Sequence, residues 1–148
     1  MNSQKSQLSQ KSQQSQFLLF TDGGARGNPG PGAAGIVLKK GGEVVFAKGR
    51  YLGDTLTNNQ AEYRAILGGL QVASKMGVKE IRCHLDSELV VKQLRNEYKV
   101  KDQELKVLFA KVKKAEEDFK KISFHYIPRE KNVIADKMVN EALDREMR

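Results

Sequence analysis

Four carboxylates stand at positions where chemistry could be done: Asp22, Glu62, Asp86 and Asp136. Asp22 closes the apolar run Phe17-Leu18-Leu19-Phe20-Thr21, and Asp86 closes Ile81 to Leu85. Glu62 and Asp136 fall in the first turns of two expected helices, on the side that carries the apolar residues. An unpaired charge facing inward is costly, so each needs a partner. If the four converge, two of them about 4 Å apart repel by roughly 4 kcal/mol at an effective dielectric of 20. Such a group either takes up protons or binds hard cations, and an all-oxygen donor set favours Mg²⁺ or Mn²⁺ over zinc. Two such ions roughly 3.5–4 Å apart can activate water and stabilise the leaving oxygen of a phosphodiester.

The elements that must position these acids are readable in order. The run ending at Asp22 is cut by Gly23-Gly24 and reads as a buried strand with Asp22 at its carboxyl end, where open α/β sheets place ligands. Asn28-Pro29-Gly30-Pro31-Gly32 reads as a turn between antiparallel strands. Ile36-Val37-Leu38, Gly41-Gly42 and Glu43 to Ala47 form a hairpin, and Arg50 and Tyr51 end the third strand. The stretch Gly30 to Gly35 matches GxGxxG, but a hairpin rather than a helix follows it, which rules out a dinucleotide fingerprint.

A helix opens at Thr57 to Glu62, where Thr57 with Gln60 or Asn59 with Glu62 fits a capping box. It runs to about Met76, and Glu62, Ile66, Gly69 and Ala73 share one face. After Asp86, Ser87 can cap a helix over 88–95. The spacing predicts a second long helix over 102–120, with Leu105, Leu108, Phe109 and Val112 inward. Lys99 and Lys101, in the connection before it, are phosphate candidates. Ile122 to Ile127 reads as the last strand. Asn132 can cap the final helix, on which Val133, Asp136, Asn140 and Leu143 share a face. His84 falls on the same sheet face as Asp86 and reads as a packed histidine.

The 148 residues carry a formal net charge of +8, which suggests a polyanionic partner such as nucleic acid. Cys83 is the single cysteine, which excludes an intrachain disulfide and a thiolate zinc site. It sits between Ile81 and Leu85 as a small hydrophobe. No apolar stretch is long enough to span a membrane, and the expected compartment is the cytoplasm. Residues 1–16 repeat Ser-Gln and bury too little to order, so they read as a disordered tail ahead of a folded domain over 17–148.

TDGGARGNPGPGAAG, TNNQAEYRAI, HLDSELVVKQL and PREKNVIADKMVNEAL resemble, in order, the four motif blocks of the type 1 ribonuclease H family. The resemblance implies an α/β fold with a five-stranded mixed sheet, its first three strands antiparallel, flanked by helices. It implies endonucleolytic hydrolysis of the RNA strand of RNA/DNA hybrids, leaving 5′-phosphate and 3′-hydroxyl ends. Asp22, Glu62, Asp86 and Asp136 match the family's catalytic, metal-binding acids: Asp22 would bridge two Mg²⁺ ions, with Mn²⁺ a possible substitute. Glu62 and Asp86 would complete one site, and Asp136 the other.

By the same resemblance Asn28, Asn58 and Asn59 match contacts to 2′-hydroxyls and bases, which separate RNA from DNA. Thr57 matches a contact to a DNA-strand phosphate, and Glu88 stands where many relatives carry a glutamine. The basic, tryptophan-rich protrusion of some relatives is missing near Asn96 to Asp102, which predicts weaker or more salt-sensitive binding. The mobile loop histidine is missing too, leaving Arg129 and His125 as auxiliary candidates. The expected state is a monomer with no obligate protein partner. Two alternatives carry their own expectations: a non-catalytic hybrid-binding module, or a relaxed nuclease that also cuts double-stranded RNA.

Overall fold

The computed structural model describes residues 16–147, so the expected tail over 1–16 lies, but for Gln16, outside the described residues. The chain forms β1 (Phe17–Ala25), β2 (Gly30–Lys40), β3 (Glu43–Leu56), α1 (Asn58–Lys75), β4 (Glu80–Leu85), α2 (Glu88–Leu94), α3 (Gln103–Glu116), β5 (Lys121–Tyr126), a 3₁₀ turn (Arg129–Lys131) and α4 (Val133–Glu146). The five strands make one mixed sheet in the order β3-β2-β1-β4-β5. β1, β2 and β3 pair antiparallel, while β1 with β4 and β4 with β5 pair parallel.

β1 is built differently from its sequence pattern. Gly23-Gly24 does not stop the strand, which continues to Ala25 paired with β2. Gly23 is instead a contact point: a Cβ there would lie 2.2 Å from the carbonyl carbon and oxygen of Ala61, so only glycine lets the first turn of α1 rest on the sheet. On the other face Gly35 does the same for α4, where a Cβ would stand 2.1 Å from the Ala135 oxygen. The parallel pairing of β1 with β4 ends at Thr21 and Leu85, so Asp22 and Asp86 both sit just past that paired edge.

The main core lies between the sheet and α1, α2 and α3, and includes Leu19, Leu38, Tyr63, Ile66, Leu70, Leu85 and Phe124. A smaller cluster of Ala33, Val139, Ala142 and Leu143 holds α4 to the opposite face. That cluster corrects the expected inward stripe of the last helix. Val133 is 62% exposed, because α4 faces the sheet with Ala135, Val139, Ala142 and Leu143. The second long helix also ends earlier than its pattern suggests, at Glu116, and Phe119 beyond it turns into the core.

The start of α1 is fixed by Thr57 with Gln60 rather than Asn59 with Glu62. The Thr57 hydroxyl accepts from Gln60 N at 3.1 Å, and the Gln60 side chain accepts from Thr57 N at 2.9 Å. This frees Glu62 to face inward. Thr57→Ala is therefore expected to cost about 1 kcal/mol of stability by denaturant unfolding, while leaving the Glu62 carboxylate in place. Among the described residues, no helix is long and apolar enough to cross a membrane.

Candidate active site

Asp22 on β1, Glu62 in the first turn of α1 and Asp86 after β4 come together. Each offers an oxygen within 4.8 Å of those of the other two. Asp22 and Glu62 are buried, at 5% and 7% exposure, and Asp86 is half-buried. They line a cavity of about 480 Å³ together with Asp136, Arg26, Asn58 and Arg129. Asp136 stands at its rim in the first turn of α4, with one carboxylate oxygen 3.5 Å from the Arg129 guanidinium.

The electrostatics follow from this packing. Burial, and then the Asp86 charge, push the Asp22 carboxyl up to about 7. Glu62 is held well above the usual carboxylate range by burial and then by Asp22 and Asp86. Glu62 Oε2 is buried with no hydrogen-bond partner. A buried, unpartnered carboxylate oxygen beside two further carboxylates fits a hard divalent cation, whose charge would relieve the repulsion and whose oxygen preference the donor set meets.

Asn132 holds this group in a way its position did not reveal. It precedes α4, but its side chain makes no cap. At 2% exposure it donates through Nδ2 to the Thr21 carbonyl and to Asp86 Oδ2, both at 2.9 Å. It thus ties the backbone just before Asp22 to the carboxylate of Asp86. The signal for it in the sequence, a polar residue opening a helix, is the same one that marks a cap. Asn132→Ala is expected to lower turnover about tenfold or more with a smaller effect on KM, because it frees Asp86 rather than removing a substrate contact. Steady-state kinetics would read that split.

The turn after β1 is braced against α1. Asn58 Oδ1 accepts from Ala25 N at 2.9 Å, and Asn28 Oδ1 accepts from Asn58 N at 3.0 Å. With both carbonyl oxygens committed, the exposed side chains of Asn28 and Asn58 present their NH₂ donors outward. Asn59 is half-buried in the same turn of α1, and Thr57 spends its hydroxyl on the cap. Glu88 lies outside the cavity lining and pairs with Lys92 at 3.1 Å.

His125 does not line the carboxylate cavity either. Its ring bonds Ser123 Oγ at 2.8 Å and stacks on His84, with centroids 5.5 Å apart. His84 in turn stacks on Phe20 at 4.7 Å. Burial, then His125 and Arg82, lower the His84 pKa to about 4, as befits a packed neutral ring. Arg26, unremarked in the sequence pattern, does reach the cavity and pairs with Asp144 of α4 at 2.7 Å.

Residues 20–142 match a family profile described as "Reverse transcriptase-like". The chain is 40% identical over 128 residues to "Ribonuclease HI" of Halobacterium salinarum, covering 84% of this chain and 63% of that protein. It is 38% identical over 128 residues to "Bifunctional protein Rv2228c" of Mycobacterium tuberculosis, covering 86% of this chain and 35% of that protein. The chain therefore spans less than two thirds of the length of these curated relatives. Among solved structures, it superposes on LC11-RNase H1 in complex with an RNA/DNA hybrid with a TM-score of 0.85 and 38% identity, covering 90% of this chain and all of that one. The crystal structure of RNase H1 from Halobacterium salinarum gives a TM-score of 0.85 at 37% identity, with 88% and 98% covered.

Proposed function

The chain belongs to the type 1 ribonuclease H family, and on that premise we propose that it is a metal-dependent endoribonuclease that hydrolyses the RNA strand of RNA/DNA hybrids. The observation that carries this reading is the convergence of Asp22, Glu62 and Asp86 on one cavity. Binding a polyanion alone gives no reason to gather carboxylates where the polyanion must go, whereas cation-assisted hydrolysis does.

Asp22, Glu62 and Asp86 would hold one Mg²⁺ ion, with Mn²⁺ as a substitute, and Asp22 with Asp136 a second. Ions bound there supply Lewis-acid charge neutralisation at the phosphodiester. The chain's own groups select and orient the substrate. The braced NH₂ donors of Asn28 and Asn58, with Asn59 beside them, face a sugar edge, where a 2′-hydroxyl can accept and a DNA sugar cannot. Thr57 and Glu88 would add contacts to the nucleic acid outside the carboxylate cavity. In the reaction a water oxygen bonds to phosphorus as the bond from phosphorus to the 3′-oxygen breaks. The 3′-oxygen takes a proton, leaving 3′-hydroxyl and 5′-phosphate ends. Residues 17–148 form the catalytic unit, acting as a cytoplasmic monomer without a membrane or an obligate protein partner.

Arg129, exposed and 3.5 Å from Asp136, would steady the phosphate at the cavity mouth. Arg129→Ala is expected to lower turnover several-fold; an unchanged rate would remove it from the mechanism. The function itself is tested by a substrate panel with analysis of product ends. RNA cut in the hybrid only, with 5′-phosphate products, is the expected result. Equal cutting of double-stranded RNA would replace the hybrid-specific reading with a relaxed nuclease.

A further inference from the structure

The sheet face that carries Asp22 continues past the cavity. Phe20, His84 and His125 are cross-strand partners on β1, β4 and β5 and form one row of stacked rings. The next row on that face, two residues along each strand, is Leu18, Arg82 and Ser123. α4 packs on β1, β2 and β3, while α2 contributes its buried residues to the core on the other side. Among the described residues, no helix covers this face of β4 and β5.

The chemistry of the face is cationic and apolar together. Lys39 lies over the Phe20 ring, its Nζ 5.1 Å from the centroid. Beside Phe20 a depression is lined by Lys39, Lys131, Val133 and Ile134, and the last two are 62% and 39% exposed. At the far end a cavity of about 610 Å³ is lined by Lys79, Arg82, Lys121 and His125, with Glu80 the acid among its lining residues. The 3₁₀ turn joins these features to the active site, since Arg129 lines the carboxylate cavity and Lys131 the depression beside Phe20.

We propose that this face binds a single-stranded extension of the nucleic acid whose duplex part occupies the carboxylate cavity. The proposal rests on the hybrid-cleaving reading for the position of the duplex. The cations meet the phosphates, and unpaired bases cover the ring row and the exposed Val133 and Ile134. A duplex would present only phosphates and leave those apolar groups bare. Arg82 lines the far cavity and Lys39 and Lys131 the depression beside Phe20, so the cations are spread along the face, which a compact anion would not need.

The test is equilibrium binding in chelator, so that nothing is cut. A blunt RNA/DNA hybrid is compared with the same hybrid carrying about eight unpaired nucleotides on each strand end in turn. The expected result is about fivefold tighter binding for at least one polarity, with a steeper salt dependence. Arg82→Glu with Lys121→Glu is expected to erase that gain while blunt-hybrid cleavage is unchanged. Lys48→Glu with Arg50→Glu, an equal double charge reversal on exposed β3, is expected to keep it. Overturning results are no gain for any polarity, a gain that survives Arg82→Glu with Lys121→Glu, or a gain that Lys48→Glu with Arg50→Glu removes as well. A free oligonucleotide measured against the same variants reads the face without the duplex. Failure of the blunt hybrid to bind would therefore count against the proposed function and not against this surface.

Discussion

Asp22→Asn is expected to reduce hybrid cleavage by about a thousandfold or more and, at the same time, to make the cation-free protein more stable. The first effect follows from losing the carboxylate that faces both proposed ion positions. The second follows from the pKa shift. The folded protein holds the Asp22 proton up to about pH 7, whereas an unfolded chain releases it near 3.8. A carboxyl raised in the folded state costs nothing below its unfolded pKa. Its cost grows as pH rises from there to the folded pKa, and stays constant above it. The wild type without divalent ions should therefore lose stability between about pH 4 and 7, on the order of 4 kcal/mol from this group. The asparagine variant should lack that slope. Added Mg²⁺ should raise the wild-type Tm at pH 8 and leave the variant's Tm much less changed. Denaturant unfolding at two pH values, with and without Mg²⁺, reads all three effects. A variant no more stable than wild type without ions would mean that the acids do not strain one another.

Gly23→Ala is expected to be strongly damaging for a single added methyl. Its Cβ would lie 2.2 Å from the carbonyl of Ala61 and 2.4 Å from Glu62 N, all backbone atoms that cannot rotate away. Either α1 lifts off β1 or the strand shifts, and a cost of about 3 kcal/mol or more follows. That corresponds to roughly 10 °C in Tm. Because the displaced turn carries Glu62, the cation response should weaken along with stability. Gly24→Ala supplies the contrast one residue away. Its Cβ would meet Val139 Cγ1 at 3.5 Å, an ordinary contact, and the change should stay within about 0.5 kcal/mol. Equal losses at the two positions would show that general strand propensity, not helix contact, explains Gly23.

Residue by residue, the sequence was most informative where side-chain periodicity alone decides placement. Glu62 sharing a helix face with Ile66, Gly69 and Ala73 was enough to turn it inward, and it is buried with Ile66, Gly69 and Ala73. Phe17 to Phe20 and Ile81 to Leu85 announced strands by composition, and both aspartates fall just past their parallel pairing. What stayed hidden depends on partners distant in sequence. Gly23 reads locally as a strand breaker, and only the approach of Ala61 makes it a contact point. Asn132 reads as a cap, and only the nearness of Thr21 and Asp86 turns it inward. Val133 reads as core on a helical wheel, but α4 meets Gly35 and Gly49 through Ala135, Met138 and Ala142, which leaves Val133 outside. His84 and His125 face each other on the adjacent strands β4 and β5, a pairing that no spacing within either segment encodes.

The measurement that bears most directly on the central claim is cleavage of an RNA/DNA hybrid, labelled on the RNA strand, across a Mg²⁺ titration and in chelator. Cutting of the RNA that rises with Mg²⁺, ceases in chelator and is lost in Asp22→Asn is the predicted result. Tight hybrid binding with no cutting at any Mg²⁺ or Mn²⁺ concentration would contradict it, and would leave a binding module whose carboxylates serve some other end.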